Sequence, residues 1–117
     1  MHEFEFLEPS SVAEAGRLLA DLGDDGRAWA GGTALILAMR QRMLAPTHVV
    51  SLANIAALRG IDFDAQQGLR IGALTRHCEV ALSALVREHY PMLASMASRM
   101  ANPQVRNQGT LGGNICY

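Results

Sequence analysis

Residues Ala28–Met39, AWAGGTALILAM, pass from a short apolar run through two glycines and a threonine into an apolar repeat of helical period. Ala28–Trp29–Ala30 has the length and character of a buried strand. Thr33 is placed to cap a helix carrying Leu35, Ile36, Met39 and Met43, which Pro46 closes. HVVSL, His48–Leu52, then supplies a β-branched strand. Strand, Gly-Gly, helix, strand is the order that builds parallel sheets, so this stretch sets the fold as a small α/β lobe.

Outward from that unit, Phe4 and Phe6 alternate with glutamates in the period-two manner of a short strand that Pro9 ends. Ser11 and Glu14 form an S-x-x-E capping pair for a helix with Val12, Ala15, Leu18, Leu19 and Leu22 on one face, stopping at Gly23. GDDGR then reverses the chain. Beyond Ile55 the texture changes: a helical turn, then GIDFD and LRIGA as two strands of a hairpin. Helices are expected from about Thr75 to Leu85 and from Pro91 to about Ala101. The final NPQVRNQGTLGGNICY reads as a polar, glycine-rich loop, with Ile115, Cys116 and Tyr117 opening a further strand. A domain rarely stops inside a strand pattern, so the chain is expected to be either a truncated portion of a longer domain or one that needs another chain to complete it.

With 117 residues, half of them apolar, the chain can bury one modest core. A net charge of −1 with scattered acids and bases points to no nucleic-acid partner. All the lysine-plus-arginine positions are arginine, which excludes a Schiff-base lysine and a P-loop lysine. Cys78 and Cys116 form no C-x-x-C pair and suggest neither a metal nor a redox dithiol; both are expected to be small buried groups. The amino terminus is acidic where a signal peptide is basic, and the longest apolar run, Ala34–Met39, cannot span a bilayer. A cytoplasmic protein without a transmembrane segment is the expectation.

A second glycine pair, Gly112–Gly113, sits in GTLGGNI between Thr110 and Asn114. Glycines between a strand and a helix allow positive φ and leave backbone amides uncovered by a Cβ. With the free N–H groups and positive dipole end of the helix near Thr33, the first pair suits an anion such as a phosphate. Each charge-assisted amide contact contributes roughly 1.5–3 kcal/mol. Gly-Gly before a helix is equally a common tight turn, and neither the Rossmann nor the P-loop spacing is present. The second pair could clamp the same ligand from another side.

AGGTALI, LRIGALTRHCEV and YPMLASMASRMANPQVRNQGTLGGNI together resemble the FAD-binding domain of the molybdenum hydroxylases, the family of carbon monoxide dehydrogenase medium subunits and the middle part of xanthine dehydrogenases. The similarity runs from Phe4 to Tyr117 and is most specific from Gln104 to Ile115. The resemblance implies an α+β, PCMH-type domain of vanillyl-alcohol oxidase-like flavoproteins: a small α/β subdomain (1–55) and the start of a second (56–117). It implies FAD as cofactor, with Ala30, Gly31, Gly32, Thr33, Ala34, Leu35 and Ile36 as the first diphosphate loop and Thr110, Leu111, Gly112, Gly113 and Asn114 as the second. Met100, Ala101 and Gln104 would lie near the flavin, and Arg106 and Asn107 would hold the second loop in shape. The implied partners are a large molybdenum-cofactor subunit and a small iron–sulfur subunit, so that electrons pass from the clusters through FAD to an acceptor. No catalytic or metal-ligating residue is expected in this chain. It departs from the family in carrying Ala34 where an acidic residue is common, and in lacking the aspartate that follows the second loop.

Two other readings stay open on the residues themselves: a non-redox nucleotide- or phosphate-binding module, and a cofactor-free remnant. Met92, Met96 and Met100 recur every fourth residue and read as core filling along a helix. Trp29 could stack on a ring, although an aromatic entering a strand usually packs. His48, His77 and His89 lack second ligands at metal-binding spacing.

Overall fold

The computed structural model describes residues 2–116, which divide into two compact units, 2–57 and 58–116. In the first, β1 (Glu5–Leu7), β2 (Gly26–Trp29) and β3 (His48–Ser51) form a parallel sheet in the order β1-β3-β2. The register sets Glu5 and Gly26 on either side of His48, and Leu7 and Ala28 on either side of Val50. Central β3 carries the core: Val49, Val50 and Ser51 are buried. Helix α1 (Val12–Leu22) joins β1 to β2, and α2 (Thr33–Arg40) joins β2 to β3.

The ends of these helices follow local chemistry. Ser11 Oγ accepts the Glu14 N–H at 3.1 Å, while Glu14 reaches back to the N–H of Ser10 rather than of Ser11. Gly23, at φ 55°, ends α1 with its N–H on the Leu19 carbonyl, and a 3₁₀ turn (Gly23–Asp25) leads into β2. Helix α2 ends at Arg40, short of the predicted Met43. There Arg42 adopts a left-handed φ of 58° and the N–H groups of Arg42 and Met43 bond to the carbonyls of Met39 and Ala38. This is a Schellman ending, built without the usual glycine, and it leaves Met43 exposed. Strand β2 also differs from expectation: it spans Gly26–Trp29, excludes Ala30, and as an edge strand leaves Arg27 and Ala28 exposed.

The second unit opens with the hairpin β4 (Ile61–Asp64) and β5 (Gly68–Ile71), antiparallel with Ile61 opposite Ile71. Five short helices follow: α3 (His77–Leu82), α4 (Ala84–His89), α5 (Pro91–Arg99), α6 (Pro103–Gln108) and α7 (Leu111–Ile115). Val80, Val86, Ala94 and Ala97 form the core, with Ile61, Leu69, Ile71 and Leu93 packed against it. The single helix predicted over 75–85 is broken at Ser83, whose ψ of 125° is extended and whose hydroxyl caps α4 on the Val86 N–H.

The predicted terminal loop and strand are helical instead. Asn102 caps α6 on the Val105 N–H, with Pro103 in its first turn, and Thr110 caps α7 on the Gly113 N–H. Ile115 ends α7 and Cys116 is its C-cap; Tyr117 lies outside the described residues. The methionine stripe is not core: Leu93, Ala94 and Ala97 face inward, leaving Met92 and Met96 exposed. Cys116 is exposed and Cys78 half-buried, rather than both buried.

Candidate functional site: an uncapped helix start and a buttressed glycine turn

In the first unit the candidate site is the turn between β2 and α2. Gly32, not Thr33, is the N-cap of α2, at φ 76° and ψ 0°, and no side chain caps the helix. Thr33 is instead the first helical residue. The first bond to close on the cap runs from Ile36 N–H to Gly32 C=O at 2.9 Å, so the amides of Thr33, Ala34 and Leu35 precede the helical ladder. Ala30 to Ile36 are all half-buried, so the turn is reachable from solvent. Helices α1, α4, α6 and α7 have a serine, asparagine or threonine cap that takes up an N-terminal amide, whereas α5, like α2, has no side-chain cap bond. A helix start with its donors left open is chemically suited to an anion.

Two features within the protein require glycine at position 32. Its φ is left-handed, and a Cβ there would stand 2.1 Å from Cζ2 and 2.3 Å from Cε2 of Trp29. The indole therefore lies on the Cα of Gly32. It also meets Phe6 edge to face, with ring centroids 6.3 Å apart and an interplanar angle of 77°. Trp29 is a packing residue of the first unit, as a strand-end aromatic usually is.

In the second unit, the Thr110–Asn114 turn has a different character from the one its glycines suggest. The N–H of Leu111 bonds to Thr75 C=O, that of Gly112 to Ala73 C=O, and that of Asn114 to Thr110 C=O. Gly113 N–H bonds to Thr110 Oγ1 at 3.1 Å. These four amides are engaged within the protein, so the turn is not a row of bare donors. Gly112 is needed for a close approach: a Cβ on it would lie 2.8 Å from both Cβ and O of Ala73. Thr110 is buried, whereas Gly113 and Asn114 are exposed.

The segment that holds this turn, Ala73–His77, belongs to a stretch in which the sequence marked no site residue. Arg76 and Thr110 form an isolated antiparallel bridge, and His77 N–H donates to Gly109 C=O at 3.2 Å. Arg76 donates through Nε to Glu79 at 3.0 Å and through Nη1 to the Asn107 carbonyl at 3.4 Å. The Arg76 N–H also donates to Glu79 Oε1, and this bond chiefly holds the carboxylate pKa below its ordinary value, against partial desolvation. His77 is buried against Gly109, and desolvation lowers its pKa. The expected role of Arg106 is corrected: its Nη1 donates to the carbonyls of Met100 at 2.8 Å and Ala101 at 3.4 Å, fixing the α5–α6 turn. Asn107 contributes its carbonyl to Arg76. Met100 is half-buried at the C-cap of α5, Ala101 is exposed with a left-handed φ of 49°, and Gln104 is exposed in the first turn of α6.

Residues 2–117 match the family model described as the FAD binding domain in molybdopterin dehydrogenase. The chain belongs to that family. It is 40% identical over 114 residues to the carbon monoxide dehydrogenase medium chain of Hydrogenophaga pseudoflava, covering 97% of this chain and 39% of the relative. It is 36% identical over 107 residues to the xanthine dehydrogenase FAD-binding subunit of Escherichia coli O157:H7, covering 92% of this chain and 36% of the relative. The solved carbon monoxide dehydrogenase of Hydrogenophaga pseudoflava superposes with a TM-score of 0.94 at 40% identity, over 97% of this chain and 39% of the solved one. The chain thus spans about two-fifths of the length of these relatives, all of them parts of oxidoreductases, and FAD is the cofactor of the family. Among the described residues no helix is long and apolar enough to cross a membrane. Nor does any cluster of three or more His, Cys, Asp or Glu form a metal site there.

Proposed function

We propose that this chain is the FAD-holding portion of the electron-transfer subunit of a cytoplasmic molybdenum hydroxylase, with a PCMH-type fold. The observation that carries the reading is the open start of α2, where three amides behind a left-handed Gly32 have no side-chain cap. Their donors suit the diphosphate bridge of FAD: three charge-assisted amide bonds at roughly 1.5–3 kcal/mol each make this turn the main electrostatic anchor. In the second unit, the Thr110–Asn114 turn leaves Gly113 and Asn114 exposed, while the amides of Leu111 to Asn114 are bonded within the protein. Ala101 and Gln104, both exposed, and the half-buried Met100 are the residues assigned to the flavin side.

Bound FAD supplies the electron-carrying chemistry, so this chain needs no acid–base pair or nucleophile of its own. Its residues bind and orient. The buried His77, through its N–H to the Gly109 carbonyl, and the Arg76–Glu79 pair, through Arg76 Nη1 to the Asn107 carbonyl, brace the second turn. The relatives are named as medium chains or subunits of larger enzymes, which supports a large molybdenum-cofactor partner and a small iron–sulfur partner for this chain.

Purification of the chain in the assembly in which it is made, followed by absorbance spectroscopy, tests the proposal. A flavin spectrum with stoichiometric FAD is expected. A colourless protein that takes up ADP but not FAD would move the assignment to a non-redox nucleotide module.

A further inference from the structure

Trp29 is the single tryptophan of the chain, and it ends the strand that leads into the proposed diphosphate turn. Its carbonyl accepts the Leu52 N–H at 2.9 Å, which ties its backbone to the sheet at the end of β3. Its ring meets Phe6 edge to face and also packs against Gly32. Gly32 has no hydrogen-bonded side chain to hold its left-handed conformation, and glycine is the residue with most freedom to leave it. The indole lies directly against Gly32, where a Cβ would stand 2.1 Å from its Cζ2. Fixing Gly32 fixes the direction of the first turn of α2, because the Gly32 carbonyl accepts the bond that starts the helix.

We infer that Trp29 is a positioning residue that aims the amides of Thr33, Ala34 and Leu35 at the cofactor diphosphate. The inference rests on the FAD reading above and adds to it a specific dependence: loss of the indole weakens binding of ligands that carry the diphosphate and leaves the flavin ring's own contribution alone. Phenylalanine keeps a flat ring against Gly32; alanine does not.

The experiment compares binding of FAD, ADP and riboflavin to the full chain and to its Trp29→Phe and Trp29→Ala variants by calorimetry, with circular dichroism to confirm folding. Trp29→Ala is expected to lose on the order of tenfold in affinity for ADP and FAD, one factor of ten being about 1.4 kcal/mol. Its riboflavin binding is expected to stay within twofold, and Trp29→Phe to recover most of the ADP affinity. Equal ADP affinity in folded wild type and Trp29→Ala overturns the role of Trp29 while leaving the FAD reading intact. Failure of the wild type to bind either ADP or FAD overturns both. Should Trp29→Ala not fold, the wild type decides: ADP, which has no flavin absorbance, is expected to shift the emission of the lone indole. ADP binding without any such shift overturns the inference.

Discussion

Gly32→Ala is the perturbation whose cost the structure sets most directly. A non-glycine residue in the left-handed region loses roughly 1–2 kcal/mol. The new Cβ would also stand 2.1 Å from Trp29 Cζ2, far inside van der Waals contact, so the indole must move away from Phe6 or the α2 start must shift. Overpacking of that kind costs roughly 1–3 kcal/mol. The sum, roughly 2–5 kcal/mol, is a large part of the 5–15 kcal/mol that stabilises a typical domain. Urea unfolding of wild type, Gly32→Ala, Trp29→Ala and the double variant measures it as a cycle. In the Trp29→Ala background the steric part disappears, and Gly32→Ala is expected to cost only the conformational 1–2 kcal/mol, a coupling of roughly 1–3 kcal/mol. An equal cost in both backgrounds would show that the indole does not press on Gly32, and the reasoning about this turn would fail. The cycle also shows why loss of FAD in a bulkier Gly32 variant cannot by itself report on the ligand.

Other outcomes follow from the same geometry. Arg42→Gly places the usual residue in the left-handed position of the α2 ending and is expected to stabilise the chain by about 0.5–1 kcal/mol in the same urea assay. Gly112→Ala is expected to destabilise by roughly 1–3 kcal/mol because its Cβ meets Ala73, and Ala73→Gly in the same chain should recover part of that loss. His77 has its pKa lowered by burial, so the unfolded state binds its proton more readily. Its contribution is complete above the ordinary value of 6.5 and declines as pH falls through that value toward the folded one. Unfolding midpoints between pH 8 and 5 are expected to fall less steeply in His77→Gln, and an unchanged slope would contradict a neutral buried imidazole. Glu79, lowered chiefly by the Arg76 N–H, contributes above the ordinary carboxylate value and loses its contribution as pH falls through its own lowered pKa; Glu79→Gln should remove that acid-limb component.

The first unit was legible because its signals are local and strong. A β-branched strand, a glycine turn and a capping serine each act within a few residues, and β1, α1, α2 and β3 appear within two or three positions of their expected limits. The errors lie where neighbours decide. Thr33 has the chemistry of a cap, but Gly32 takes the position because the indole of Trp29 and the left-handed turn leave room for nothing else. Ser83 breaks one expected helix into two, since its hydroxyl bonds the Val86 amide while its backbone is extended. Helices α6 and α7, six and five residues long, are too short for hydrophobic periodicity to show. Asn102–Pro103 did carry a readable start signal, a cap followed by proline.

The candidate site was legible in its first turn and only partly in its second. Which amides of a glycine loop are bare depends on partners far along the chain: Ala73 and Thr75 take those of Gly112 and Leu111. Nothing in the spacing of Ala73–His77 announces that task. The methionine stripe misled for a related reason. Its period places Met92 and Met96 on one face of α5, but the small residues Ala94 and Ala97 mark the face that packs.

On the reading proposed above, the N–H groups opening α2 bind the diphosphate of FAD. Amide resonances of the ¹⁵N-labelled chain, followed during titration with FAD, ADP and riboflavin, address it residue by residue. Thr33, Ala34 and Leu35 are expected to shift with FAD and with ADP but not with riboflavin. Saturating FAD that leaves those three resonances in place while others move would contradict it.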